Sequence, residues 1–134
     1  TPAIVAGAGA TVRTFGLGGG MMGSLFTING RVFDMGRVDL SVPAHTVEVW
    51  KFTNATGMAH PIHVHGVRMS LLARDGALPP AHERGLRDTF VVQPMETVTM
   101  AVETAAVASS TPLMLHCHIL EHEDAGMMAQ FITA

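Results

Sequence analysis

The sequence predicts an all-β fold, a two-sheet Greek-key sandwich formed as a single domain over residues 1–134. Three observations carry that prediction. Short apolar runs are broken at close intervals by Gly, Pro, Asn and Asp, residues 46–53 alternate cleanly, and no stretch sustains a helical period.

Strands are expected in order over residues 11–17, 25–28, 37–40, 46–53, 62–72, 87–92, 97–103, 113–118 and 128–132. Asn29-Gly30 closes the second, Asn54 ends the fourth, and Asp75-Gly76 and Pro79-Pro80 separate the fifth from the sixth. In the fourth, Val47, Val49 and the stem of Lys51 fall on one side, and Glu48, Trp50 and Phe52 on the other. Apolar groups on both faces suit a strand inside a sandwich. Residues 16–23, G-L-G-G-G-M-M-G, read as a flexible loop, with Met21 and Met22 as a second reading in which thioethers meet copper ions in transit.

Composition excludes several classes. The formal net charge is -3, so there is no basic footprint for nucleic acid. No uninterrupted apolar run approaches the roughly eighteen residues of a membrane span. The chain opens at Thr1-Pro2-Ala3 without a basic segment ahead of an apolar one, so the start is expected to be an internal cut, from processing or excision. Cys117 is the one cysteine, which rules out an internal disulfide. Taken alone, it reads as a small buried hydrophobe.

Its neighbours change that reading. Six of eight histidines fall in two clusters, His60-Pro-Ile-His63-Val-His65 and His116-Cys117-His118-Ile-Leu-Glu-His122. Residues two apart on a strand share a face, and neighbours oppose one another. His116 and His118 therefore project together and Cys117 projects away from them. His63 and His65 share a face, and His60 is free to point elsewhere. This parity sorts the ligands into an inner group, Cys117 with His60 and His122, and a quartet, His63, His65, His116 and His118.

The inner group has the chemistry of a blue copper site, in which a thiolate and two imidazoles form a trigonal plane with a distant axial thioether. Cys117, His122 and Met127 follow one another at five-residue intervals, and Gly126 lets the connecting loop turn. Zinc is the alternative ion, but it gives no role to Met127 and leaves four histidines idle. His45 and His82 lie in no ligand motif and read as surface residues.

With these motifs the chain resembles the multicopper oxidases. Residues 60–66, H-P-I-H-V-H-G, match the family's H-P-x-H-x-H-G, and residues 116–127, H-C-H-I-L-E-H-E-D-A-G-M, match its H-C-H-x-x-x-H-x-x-x-x-M. Residues 26–36, F-T-I-N-G-R-V-F-D-M-G, and the acidic H-E-D-A-G-M-M ending look like the bacterial periplasmic cuprous oxidases and related laccases.

The resemblance covers nearly the whole chain and implies the C-terminal cupredoxin domain of a three-domain enzyme, periplasmic or secreted. It implies type 1 copper on His60, Cys117, His122 and Met127, type 2 copper on His63, and a type 3 pair on His65, His116 and His118. It also implies that electrons from a reducing substrate pass through Cys117, covalently linked to His116 and His118, and that four of them reduce O2 to two waters. Glu123 matches an acid that relays protons near the cluster; a solvated loop charge is its other reading.

Two departures bear on activity. The cuprous oxidases supply a carboxylate and a methionine to a substrate copper just ahead of the H-P-x-H motif. Met58 is in place here, but Thr56 stands where the acid would be, so Cu(I), phenols and amines all remain as reducing substrates. The other four histidines of the family's cluster belong to an N-terminal cupredoxin domain, so another domain or chain is expected to supply them. Alone, the chain is expected to bind one copper and not to reduce O2. The rival readings are a stand-alone blue-copper electron-transfer protein, which leaves the quartet without a use, and a metal-free scaffold, which leaves every filled ligand position unexplained.

Overall fold

The computed structural model describes residues 4–19, 26–109, 111–117 and 126–134. Among these, strands β1 (Val12–Gly19), β2 (Phe26–Ile28), β3 (Leu40–Val42), β4 (Val47–Asn54), β5 (His60–Val64) and β6 (Val67–Arg74) precede a short 3-10 turn at Ala81–Glu83. They are followed by β7 (Leu86–Arg87), β8 (Thr89–Val92), β9 (Thr97–Thr104), β10 (Leu113–Cys117) and β11 (Met128–Thr133). One sheet has six strands in the order β2-β1-β4-β9-β6-β7, the other five in the order β3-β11-β10-β5-β8. Pairing is antiparallel except for β1 with β4 and β3 with β11. This is the predicted cupredoxin-like sandwich. Among the described residues no helix is long and apolar enough to cross a membrane.

The alternation in β4 explains how the sheets adhere. Glu48, Trp50, Phe52 and Asn54 turn inward while Lys51 and Thr53 face solvent. The Trp50 ring meets Phe131 of the opposite sheet edge-on at 5.8 Å, and Phe52 meets Phe90 at 4.9 Å. Each such aromatic pair adds about 0.5–1.5 kcal/mol beyond its buried area. Glu48 is only 1% exposed, and its carboxylate accepts from Arg13 Nε at 2.7 Å, Arg13 Nη2 at 3.1 Å and Trp50 Nε1 at 2.9 Å. A buried carboxylate needs such partners to offset its lost hydration.

Two predicted strands are broken where the chain changes sheets. The expected strand over 62–72 is divided between β5 and β6 by a turn at His65-Gly66, where Gly66 has φ +73°. A Cβ there would lie 2.6 Å from a Leu113 methyl, so glycine suits the left-handed conformation and spares the Leu113 tip a displacement. The expected strand over 87–92 divides at Asp88: β7 pairs with β6, and β8 pairs with β5 in the other sheet. The strand expected over 37–40 begins only at Leu40. Ahead of it, the Asp39 carboxylate accepts from Arg37 Nε at 2.6 Å and Gln130 N at 2.9 Å, and Asp39 N donates to the Gln130 carbonyl at 2.8 Å, so one residue ties the segment to β11 without a regular ladder.

Candidate metal centre

Strand pairing brings the two histidine motifs together. In the five-stranded sheet β10 lies between β5 and β11, with Leu115 opposite Val64, His116 opposite His63 and Cys117 opposite Ile62. Directly opposed residues share a face. His116 and His63 therefore stand on the outer face, while Cys117 and Ile62 point between the sheets. Along β5, His60, Ile62 and Val64 are buried and Pro61 and His63 are partly exposed.

On the inner side, the Cys117 sulfur lies 3.6 Å from His60 Nδ1, and both residues are fully buried. Met127, also fully buried, is adjacent: its carbonyl accepts from Cys117 N at 3.1 Å. Gly126 ahead of it has φ +107°, and a Cβ there would come within 2.9 Å of Val32. The Phe26 ring meets the His60 ring edge-on at 5.7 Å.

On the outer side, three rings converge. Ring centroids are 4.6 Å apart for His63 and His65, 5.3 Å for His65 and His116, and 5.6 Å for His63 and His116. Their hydrogen-bond partners fix which nitrogen carries the proton. His63 Nδ1 lies 3.0 Å from the Asp88 carbonyl, which can only accept, so Nδ1 donates and Nε2 is left unprotonated in the neutral ring. Thr89 Oγ1, also 3.0 Å from that nitrogen, donates its own hydrogen to the Asp88 carboxylate. His116 Nδ1 donates to the Cys117 carbonyl at 3.2 Å, and its Nε2 accepts from His65 Nε2 at 3.2 Å.

His118, His122 and Glu123 lie outside the described residues, as do Met21 and Met22. Among the described residues no group of three or more His, Cys, Asp or Glu side chains is gathered to hold a metal ion by itself. The inner donors are nevertheless of the right kind: a thiol sulfur beside a ring nitrogen, with a thioether residue next to them, suits a soft ion such as copper. His45 and His82 are both exposed.

The orienting role of the groups around these rings is not legible in either histidine motif. Thr56 Oγ1 lies 2.7 Å from His60 Nε2, and Asn54 accepts from Thr56. Asp88 holds His63 with its backbone carbonyl, which also accepts from Val64 N at 3.2 Å. A hydroxyl four residues ahead of His60 was the one available signal for the first of these; nothing local marks a carbonyl contributed by Asp88.

The sequence and the fold have counterparts among known proteins. A multicopper oxidase of Staphylococcus haemolyticus is 40% identical over 108 residues, which are 78% of this chain and 24% of that protein. A laccase of Haloferax volcanii is 37% identical over 110 residues, 80% of this chain and 19% of that protein. The structure of a laccase-like multicopper oxidase from the lignin-degrading bacterium Ochrobactrum sp. superposes with a TM-score of 0.89 at 33% identity, covering 100% of this chain and 33% of that one. The chain thus spans a third or less of each of these relatives. The sequence profile described as multicopper oxidase matches residues 10–134, the whole sandwich with both histidine motifs, and by that match the chain belongs to the multicopper oxidase family.

Proposed function

We propose that the chain is the C-terminal cupredoxin domain of a multicopper oxidase, with a type 1 copper on His60, Cys117, His122 and Met127. On the outer face His63 serves a type 2 copper, and His65, His116 and His118 serve a type 3 pair. The observation that supports this most directly is the opposition of Cys117 and His116: consecutive residues, one sulfur buried 3.6 Å from His60 and one ring turned out among His63 and His65. A lone electron carrier has no use for that outer group.

Copper bound to the inner donors supplies reversible one-electron chemistry, because thiolate favours Cu(I) while imidazole tolerates Cu(II). The residues of the chain do the rest. The packed core around Cys117 excludes water and holds the donors in place between oxidation states. The peptide joining Cys117 to His116 gives a short covalent path from the inner to the outer face. On the outer face, the Asp88 and Cys117 carbonyls hold Nδ1 protons, which leaves Nε2 as the presenting atom on His63 and His116. Glu123 serves as a proton relay.

The complete enzyme oxidises a small reductant, Cu(I) or a phenol or amine, and passes four electrons with four protons to O2, giving two waters. Four further histidines come from N-terminal cupredoxin domains of the same parent or from another chain, and the enzyme works in the periplasm or outside the cell.

Adding copper to the purified chain tests the inner site. An intense blue absorption that disappears in Cys117→Ser is the expected result; no blue band in the copper-loaded chain overturns the assignment. O2 consumption by the isolated 134 residues with a reductant is expected to stay at background. Full oxidase turnover without a partner would refute the divided cluster.

A further inference from the structure

The inner histidine is steered by residues that belong to neither histidine motif. We infer that Thr56, backed by Asn54, is the positioning residue that locks His60 in the Nε2-protonated tautomer and turns its Nδ1 toward the Cys117 sulfur. The functional consequence rests on the proposed inner copper site; the tautomer itself is a property of the metal-free chain.

The direction of each hydrogen bond follows from what each group can do. Asn54 Nδ2 faces three carbonyls, those of Met58 at 2.7 Å, Gln93 at 3.1 Å and Val92 at 3.2 Å. Only an amide nitrogen can sit there, so the amide orientation is fixed. Its oxygen then accepts from Thr56 N at 2.9 Å and lies 2.7 Å from Thr56 Oγ1. The Thr56 hydroxyl has one hydrogen and two acceptor-only neighbours, Asn54 Oδ1 and the Met58 carbonyl at 3.1 Å.

That hydrogen goes to Asn54. Directing it to the ring instead would leave two bare oxygens 2.7 Å apart. Thr56 Oγ1 must therefore accept from His60 Nε2 at 2.7 Å. A neutral imidazole carries one N–H, so Nδ1, 3.6 Å from the sulfur, keeps its lone pair.

The arrangement is buried and rigid. Asn54 is 0% and Thr56 7% exposed. Asn54 ends β4 of one sheet and ties to Val92, which pairs with His60 in the other. A ligand's outer hydrogen bond of this kind sets ring orientation and basicity. The same network explains why a threonine can occupy this position: its hydroxyl is aligned by an amide and orients the ring without a charge.

The test begins on the metal-free full chain at about pH 8, where an imidazole is neutral. Long-range nitrogen–proton correlation spectra are expected to find His60 with Nε2 protonated. In Thr56→Val, which keeps the shape and loses the hydroxyl, the ring should become a mixture of tautomers, and Thr56→Ser should restore the single form. Nδ1 protonation in the wild type, or an unchanged single tautomer in Thr56→Val, overturns the inference, and the wild-type spectrum decides if the valine variant fails to fold.

With copper, Thr56→Val should lose roughly tenfold or more in affinity and Thr56→Ser should stay within about twofold. Equal affinity in wild type and Thr56→Val refutes the positioning role. If the wild type has the expected tautomer but no blue band, the positioning stands and the copper assignment fails.

Discussion

Gly126 offers a quantitative test of how the entry to β11 is held. Replacing it with alanine imposes two separable costs. Its φ of +107° lies where L side chains rarely settle, and the new methyl would stand 2.9 Å from Val32 Cβ, 3.0 Å from Val32 Cγ1 and 3.2 Å from the Phe26 carbonyl. The backbone term is about 1–3 kcal/mol and the overpacking term about 1–3 kcal/mol, less the 0.4–1 kcal/mol or so gained by restricting the unfolded chain.

A net loss of about 3 kcal/mol follows. Gly76 is the control, with φ +79° and nothing within 4 Å of its added Cβ, so Gly76→Ala should cost only about 1 kcal/mol. Trp50 is the single tryptophan and fully buried, which makes its fluorescence a direct reporter of urea unfolding. With a slope near 2 kcal/mol/M, the midpoints should fall by about 1.5 M for Gly126→Ala and about 0.5 M for Gly76→Ala. If Gly126→Ala is no worse than Gly76→Ala at unchanged slope, the clash with Val32 has no energetic consequence and the reasoning is wrong.

Two further expectations come from ion pairs. Glu48→Gln keeps the shape but removes the counter-charge of Arg13, and should cost about 2 kcal/mol; the double change Glu48→Leu with Arg13→Met should cost clearly less than the sum of its parts, and strict additivity in a double-mutant cycle would refute coupling. Glu83 is held below its ordinary carboxylate value of 4.5, chiefly by the hydrogen bond from Arg74. A depressed folded value means that its stabilisation is present above the unfolded value and lost as pH falls through the folded one. Urea midpoints of wild type and Glu83→Gln should therefore differ at neutral pH and converge in acid; a constant gap would refute the ion pair's role.

Much of this molecule is legible from periodicity alone, because a strand has only two faces. The spacing of His60, His63 and His65 and the order His116-Cys117 already divide inner from outer positions, and Glu48 already falls beside Trp50 and Phe52. What the pattern hides is the third dimension. Within 62–72 only Gly66 marks locally that the chain leaves one sheet at His65-Gly66 and joins the other, because the alternation resumes after it and both halves are buried in the same core. Asp88 makes the same crossing between two charged or polar neighbours, Arg87 and Thr89, with no glycine or proline to announce it. Asn54 reads locally as a turn residue, yet its amide joins carbonyls at Met58, Val92 and Gln93. Arg74 finds Glu83 and Glu96 nine and twenty-two positions away. Such partners are selected by packing, which the sequence encodes only collectively.

The pairing of Cys117 with Ile62 and of His116 with His63 has a consequence for how this domain can fail. Deleting a single residue upstream in β10, or sliding it by one position, exchanges thiol and imidazole between the two sides at once. Damage of that type is all-or-none, with no half-working intermediate. Length changes in β10 should therefore be purged from any library of functional variants, whereas a length change at the exposed Asp75-Gly76 turn costs only the hydrogen bonds that tie Asp75 to Thr97 and leaves thiol and imidazole on their own sides.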